Sequence, residues 1–186
     1  MSILGDDLLR GEKVYLNLPN EDDVDTLTAW FNKDFEMMKW LGIHPVYPMT
    51  HKDEKDWIEL TRSEADSYIF AMRSLEDDAL VGTCALFGVD WRSSNAELGI
   101  VVGDANRRSK GYGSDAMRVL LRFGFMELNL HRIYLQVQHE NTRGIRAYEK
   151  VGFVHEGAQR QMILREGRFR DNVYMSVLRR EWSCDI

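Results

Sequence analysis

Val14, Leu16 and Leu18 alternate with polar neighbours, and this period of two predicts a short strand. Asn20 then offers an N-cap, with Glu21, Asp22 and Asp23 in the first turn of a helix whose buried face would be Leu27, Trp30 and Phe31. A second helical piece at 34–40 runs into Gly42, Pro45 and Pro48. Thr50, with Asp53 three residues on, starts a third helix carrying Trp57 and Leu60. From Tyr68 the pattern changes to strands at 68–73, 80–89 and 96–102, separated by turns at 76–78 and 92–95. A basic, glycine-containing loop follows. After it Met117, Leu120, Leu121, Gly124, Phe125 and Leu128 form an apolar stripe at helical spacing, predicting a helix over 114–127. A strand at 132–137, a helix at 141–150 and strands at 158–164 and 169–178, joined by a turn at Glu166 and Gly167, complete the chain. Helices, then antiparallel strands, then one strand-helix-strand crossover predict an α+β fold with a mixed sheet.

Length and composition narrow this picture. The 186 residues, 44% hydrophobic and 29% charged with only 3 prolines, suit one globular domain, expected over 12–182 behind an N-terminal arm at 1–11. No apolar run approaches the roughly 18 residues of a membrane span, and the first ten residues lack a basic start followed by an apolar stretch, so a cytoplasmic protein without membrane contact is expected. Cys84 and Cys184 have no CxxC spacing and read as ordinary thiols. The five histidines form no metal-spaced set, so no metal is expected. A net charge of -6 argues against nucleic acid as a partner. The charge is unevenly spread: residues 1–90 carry 19 Asp/Glu against 8 Lys/Arg, and residues 91–186 carry 11 against 16. That asymmetry fits a solvated surface, or a cationic ligand on the first half and a polyanionic one on the second.

The segment Asn106-Arg107-Arg108-Ser109-Lys110-Gly111-Tyr112-Gly113-Ser114 lies between a predicted strand and an amphipathic helix. Glycines permit close backbone approach, and the first-turn N–H groups of a helix lack intrahelical partners, so amides, dipole and basic side chains together suit a pyrophosphate. The GxxxxGK[ST] pattern of nucleotide hydrolases is absent. Gly111 to Ala116 satisfies GxGxxA, but eight residues, 103–110, separate it from the strand, and antiparallel strands precede it, unlike a dinucleotide-binding unit.

Arg108, Gly111 and Gly113 instead fit the (Arg/Gln)xxGxG coenzyme A loop of the GNAT superfamily of N-acetyltransferases, which the chain resembles. A second segment, Asn141-Thr142-Arg143-Gly144-Ile145-Arg146-Ala147-Tyr148-Glu149-Lys150-Val151-Gly152-Phe153, is similar to the family's later signature, with Gly144 where alanine or serine is commoner. Ala96-Glu97-Leu98-Gly99-Ile100, the Leu128-Asn129-Leu130 link and the hairpin from Glu166 to Asp171 resemble the branch that holds ribosomal-protein amino-terminal and spermidine acetyltransferases. The resemblance implies a mostly antiparallel seven-stranded sheet flanked by helices, and transfer of acetyl from acetyl-CoA to a primary amine by direct attack in a ternary complex. It implies that Ile100, Val101 and Val102 line the pantetheine arm, and that the loop from Arg107 to Ser114 holds the pyrophosphate. It also implies that Asn141, at an N-cap position, both caps its helix and bonds the pantetheine. Tyr148 is the counterpart of the proton donor beside the coenzyme sulfur, and a backbone N–H around Val101 would meet the oxyanion.

Glu97 is the candidate general base, directly or through water, at the start of the strand before the loop; a salt-bridge partner is the other reading of that position. Trp40 and Tyr47, in loops marked by glycine and proline, are candidates with Glu97 for the acceptor pocket. The acceptor is expected to be cationic, given the acidic first half. A homodimer is the commonest closed assembly and the default expectation. Two other classes stay open at this point: an acyl-CoA sensor that keeps the loop without turnover, and a nicotinamide oxidoreductase.

Overall fold

A computed structural model describes residues 8–42, 46–63 and 66–183, the stretch 60–63 by its backbone alone. Seven strands form one sheet: β1 (Val14–Asn17), β2 (Tyr68–Ser74), β3 (Leu80–Asp90), β4 (Asn95–Val102), β5 (Arg132–Gln138), β6 (Val154–Arg165) and β7 (Arg168–Leu178). Their spatial order is β1-β2-β3-β4-β5-β7-β6, and every neighbouring pair is antiparallel except β4 and β5. The helices are α1 (Val24–Lys33), α2 (Phe35–Met38), α3 (His51–Ser63), α4 (Tyr112–Met126) and α5 (Thr142–Val151).

The apolar stripe of α4 is buried as its spacing predicts, packed on β1, β3 and β4 in the main core. Gly124 permits the close approach: a Cβ there would lie 2.6 Å from Ile133 and 3.0 Å from Leu86. Val24 and Leu27 of α1 meet Ile58 of α3 in a smaller core, where Trp30, Phe31 and Trp57 are half-buried. Asn20 caps the first helical turn, accepting from the Asp22 amide while Asp23 returns a bond to the Asn20 N–H. The β6–β7 hairpin closes in two residues, Glu166 and Gly167, both at positive φ (51° and 73°), with Arg165 opposite Arg168.

Several boundaries differ from the sequence reading. Leu18 falls outside β1 and is exposed, because Pro19 ends the ladder. The helix at 34–40 shrinks to one turn. β6 begins at Val154, earlier than 158, and α4 at Tyr112. Of the arm expected at 1–11, residues 8–11 are fastened rather than loose: the Arg122 guanidinium donates to Leu8 O and Arg10 O, and the Leu16 amide to Leu9 O. Asp115 completes this anchor, buried in the first turn of α4 and accepting from the amides of Glu12, Lys13 and Val14 at 3.1, 2.8 and 3.0 Å. Residues 1–7, His44, Pro45 and Cys184 lie outside the described residues. Cys84 is a buried free thiol whose pKa burial pushes up. Among the described residues no helix is long and apolar enough to cross a membrane.

Candidate active site

The parallel pair β4–β5 holds together only at Asn95, Ala96 and Glu97, opposite Arg132, Ile133 and Tyr134. Beyond Glu97 the strands part. β4 continues against β3 through Leu98 to Val102, while β5 continues against β7. An antiparallel ladder alternates its backbone groups between the two sides of a strand, and three bonds fix the phase here. The Gly103 amide donates to Val81 O, so odd residues of β4 turn toward β3. Ser94 O accepts from the His131 amide and Val102 O from Arg108 Nε, so even residues turn toward β5. The backbone groups of Leu98 and Ile100 therefore face the gap. The Val101 N–H, at the centre of the region expected to donate to an oxyanion, is committed to β3.

Two cavities meet at this gap. The first, about 190 Å³, is lined by Ile100, Val101 and Val102, by the loop residues Arg107, Arg108, Ser109, Gly111, Gly113 and Ser114, and by Asn141, Arg143, Gly144 and Tyr148. The second, about 500 Å³, lies on the face toward α1 and α3 and includes Glu97, Gln136, Gln138 and Asn172. Trp40, Leu41, Ile100, Val101 and Tyr148 line both.

The two loop glycines have different duties. Gly111 is the N-cap of α4 at φ 91°, a conformation that L side chains avoid, and it provides no side chain to cap the helix. The first-turn amides are thus left for an anion. Gly113 lets the helix start lie close to β4: a Cβ there would stand 3.2 Å from Val102 Cγ2. The arginines are occupied. Arg107 pairs with Asp77 and with Asp104, and donates to the Tyr112 hydroxyl. Arg108 donates to Val102 O (2.9 Å) and Gly103 O (2.8 Å) and pairs with Asp34 at 2.6 Å. With both guanidiniums matched to carboxylates, they shape the loop; among the described residues Lys110, exposed in the loop, and Arg143, in the first turn of α5 where its charge also acts on Asp34, are held in no ion pair. Arg143 was missed in the sequence reading; its place two residues after the N-cap Asn141 was the available signal. The Tyr112 side chain turns into the core, between Lys13 and Arg107.

Asn141 caps α5 by accepting from the Gly144 amide at 3.0 Å. A Cβ on Gly144 would come within 2.7 to 3.0 Å of that Asn141 side chain, so a larger residue there would require the cap to shift. Tyr148 projects from α5 to the junction of the cavities with its ring edge-on to Phe153 at 6.0 Å. Burial pushes its phenol up to about 12, and among the described residues its hydroxyl has no hydrogen-bond partner. Glu97 accepts from Gln136 Nε2 at 3.0 Å, and Gln136 in turn accepts from Asn172 Nδ2 at 2.8 Å. Desolvation raises the Glu97 carboxyl above its ordinary range, partly offset by the Gln136 bond. Trp40 lines both cavities, whereas Tyr47 is exposed and lines neither. Arg165, also absent from the sequence reading, donates to Lys39 O, Leu41 O and Gly42 O and so fixes the Trp40 segment from the far hairpin.

A sheet split at its one parallel pair, with a glycine loop and an uncapped helix at the mouth of the split, suits an extended ligand with an anionic tail. The comparisons give that class its family. A profile of the acetyltransferase (GNAT) domain matches residues 13–154, and the chain belongs to that family. An uncharacterized N-acetyltransferase p20 of Bacillus licheniformis is 30% identical over 175 residues, 92% of this chain and 96% of its own. A putative ribosomal N-acetyltransferase of Bacillus subtilis is 28% identical over 92% of this chain and 94% of its own. The fold is similar to a crystal structure of spermidine N-acetyltransferase from Vibrio cholerae in complex with CoA and spermine, with TM-score 0.82 and 23% identity over 90% of this chain and 96% of that one. The protein is thus an acetyl-CoA-dependent N-acetyltransferase with an amine acceptor.

Proposed function

We propose that the first cavity holds acetyl-CoA, the second a cationic primary amine, and that Tyr148 and Glu97 carry the proton transfers between them, within one catalytic domain over 12–182 acting in the cytosol. The observation that carries this reading is that Tyr148 lines both cavities with its hydroxyl unpaired while Glu97 lines only the acceptor side. Bound there, acetyl-CoA supplies an acetyl group already activated as a thioester. The backbone N–H groups of Leu98 and Ile100, facing the gap, are the donors available to its carbonyl oxygen. The first-turn amides of α4, with Lys110 and Arg143, suit the pyrophosphate. Glu97 takes a proton from the arriving ammonium, directly or through water, and the desolvation that raises its pKa strengthens it as a base.

Tyr148 donates to the sulfur as the thiolate departs, and its phenolate regains a proton from the nitrogen that becomes the amide, directly or through water. Burial makes the phenol less acidic, but a thiolate leaving into the same low-dielectric gap is raised by the same cause, so the two stay matched well enough for a hydrogen bond to become a proton transfer. Two cavities meeting at one tyrosine support direct attack in a ternary complex.

The test is thiol release with a panel of primary amines, followed by the Tyr148→Phe variant. We expect turnover with an amine, a fall in kcat of roughly a hundredfold in the variant, and unchanged coenzyme affinity. A near-native kcat with chemistry rate-limiting would remove Tyr148 from the reaction. Coenzyme binding without turnover of any amine would point to a sensor.

A further inference from the structure

The acceptor cavity is poor in charge. Among its described lining residues Glu97 is the only Asp, Glu, Lys or Arg. Around it the wall is apolar or aromatic, with Phe31, Trp57, Ile69 and Phe87 on the side toward α1 and α3. Gly99 contributes by omission: a Cβ there would lie 2.6 Å from Phe87 Cε2, so the absence of one lets the Phe87 ring lie over β4 at the cavity. The carboxamides are engaged through their N–H groups, and the Asn172 and Gln138 oxygens remain as neutral acceptors. Gln136 bridges Asn172 and Glu97, and Gln138 Nε2 donates to Lys39 O at 2.7 Å. Glu97 keeps its second carboxylate oxygen without a partner among the described residues.

These features define what the cavity can desolvate. One ammonium can pair with Glu97. A second or third would be buried opposite aromatic carbon and neutral oxygens, with no further carboxylate among the described lining residues, a cost that cation–π attraction offsets only in part. That attraction is also reduced at Trp40, where Lys39 Nζ already stands 4.9 Å from the ring centroid. An apolar body, by contrast, gains from every wall it covers, and about 500 Å³ is within the usual range for small-ligand sites.

We infer that the acceptor is a primary monoamine with an apolar or aromatic body, its ammonium on Glu97 and its body against Phe31, Trp57 and Phe87, and not an extended polyamine. The inference rests on the reading of the second cavity as the acceptor site. A free arylalkyl amine and a peptide beginning with an aromatic residue share this chemistry, and the experiment separates them.

Initial rates of thiol release are compared for 2-phenylethylamine, the tripeptide amide Phe-Gly-Gly and spermidine at saturating acetyl-CoA, and each amine is titrated calorimetrically into the CoA-saturated protein. We expect kcat/KM for at least one of the two aromatic monoamines to exceed that for spermidine tenfold or more. Which one wins tells free amine from peptide. Phe87→Glu places a second carboxylate at this partly exposed edge and should reverse the order by raising spermidine relative to the monoamine. Binding of a monoamine to the CoA complex without turnover supports the inference while overturning the proposed catalysis. Spermidine matching or exceeding both monoamines, in rate or in affinity where no amine turns over, overturns the inference, as does failure of all three to bind.

Discussion

At the position of Arg108, the motif was legible in the sequence but its physical duty was not. The spacing to Gly111 and Gly113 suggested a cation for phosphate, yet the guanidinium is forked across Val102 O, Gly103 O and Asp34, tying the glycine loop to the end of β4 and to the start of α2. Those partners come from two stretches of chain, one of them, at Asp34, more than seventy residues away, so no local pattern could reveal the whole clamp. The glycines divide in the same way. Positive φ at Gly111 is a local property that a GxG loop announces, whereas Gly103 is glycine because the Trp30 ring occupies the space of its Cβ, a contact only the tertiary fold creates. Arg108→Lys distinguishes clamp from charge, since lysine keeps the charge but cannot present a planar fork to several acceptors. We expect coenzyme affinity to fall roughly tenfold in Arg108→Lys, measured by calorimetry. Native affinity in that variant would show that charge alone is what the position supplies.

At the level of elements, those with a long and strict period were legible: α4 from its six-residue stripe, and β2, β3 and β4 from their turns. The parting of β4 from β5 was not, because the residues 98–102 read as an ordinary strand whether or not a neighbour pairs with them. α3 shows a further kind of illegibility. Its polar sequence conceals Glu54, which is 1% exposed, has an unpartnered Oε1 and packs inside the fold beside the smaller core. Desolvation, with Asp53 adding to it, raises this carboxyl from 4.5 to about 7. The folded state therefore holds its proton where the unfolded chain has released it, and stability from this group is present below about pH 4.5 and lost as the pH rises to about 7. The stability difference between wild type and Glu54→Gln should drift in the variant's favour by up to about 3 kcal/mol between those limits, as followed by urea unfolding. Parallel pH–stability curves for the two proteins would show that Glu54 keeps an ordinary pKa.

Across the whole molecule, the opposite charge of the two halves read as two ligand surfaces, and part of it serves cohesion instead. Asp34 and Asp77 of the acidic half hold Arg108 and Arg107 of the basic half, so the loop is braced by the asymmetry that suggested its ligand. These braces matter because the sheet is nearly two sheets. β1 to β4 and β5 to β7 share three residue pairs, and Gly124 of α4 lies close to both Leu86 of β3 and Ile133 of β5. A ligand laid along the gap would complete the ladder on one side of β4 only. Coenzyme at a hundred times its Kd should add about 2.7 kcal/mol to stability, a rise in Tm of roughly 5 to 10 °C for a chain of this size. Amide exchange carries the more specific signature. The N–H groups of Leu98 and Ile100 face the gap and should exchange fast in the free protein and slowly with coenzyme bound, while those of Gly99 and Val101, already donated to β3, should change only by the global increment. Residue-resolved exchange by NMR reads this alternation directly. Equal protection of all four amides on binding would mean that the ligand tightens the sheet as a whole without pairing with β4, and the backbone of Leu98 and Ile100 would then have no part in holding it.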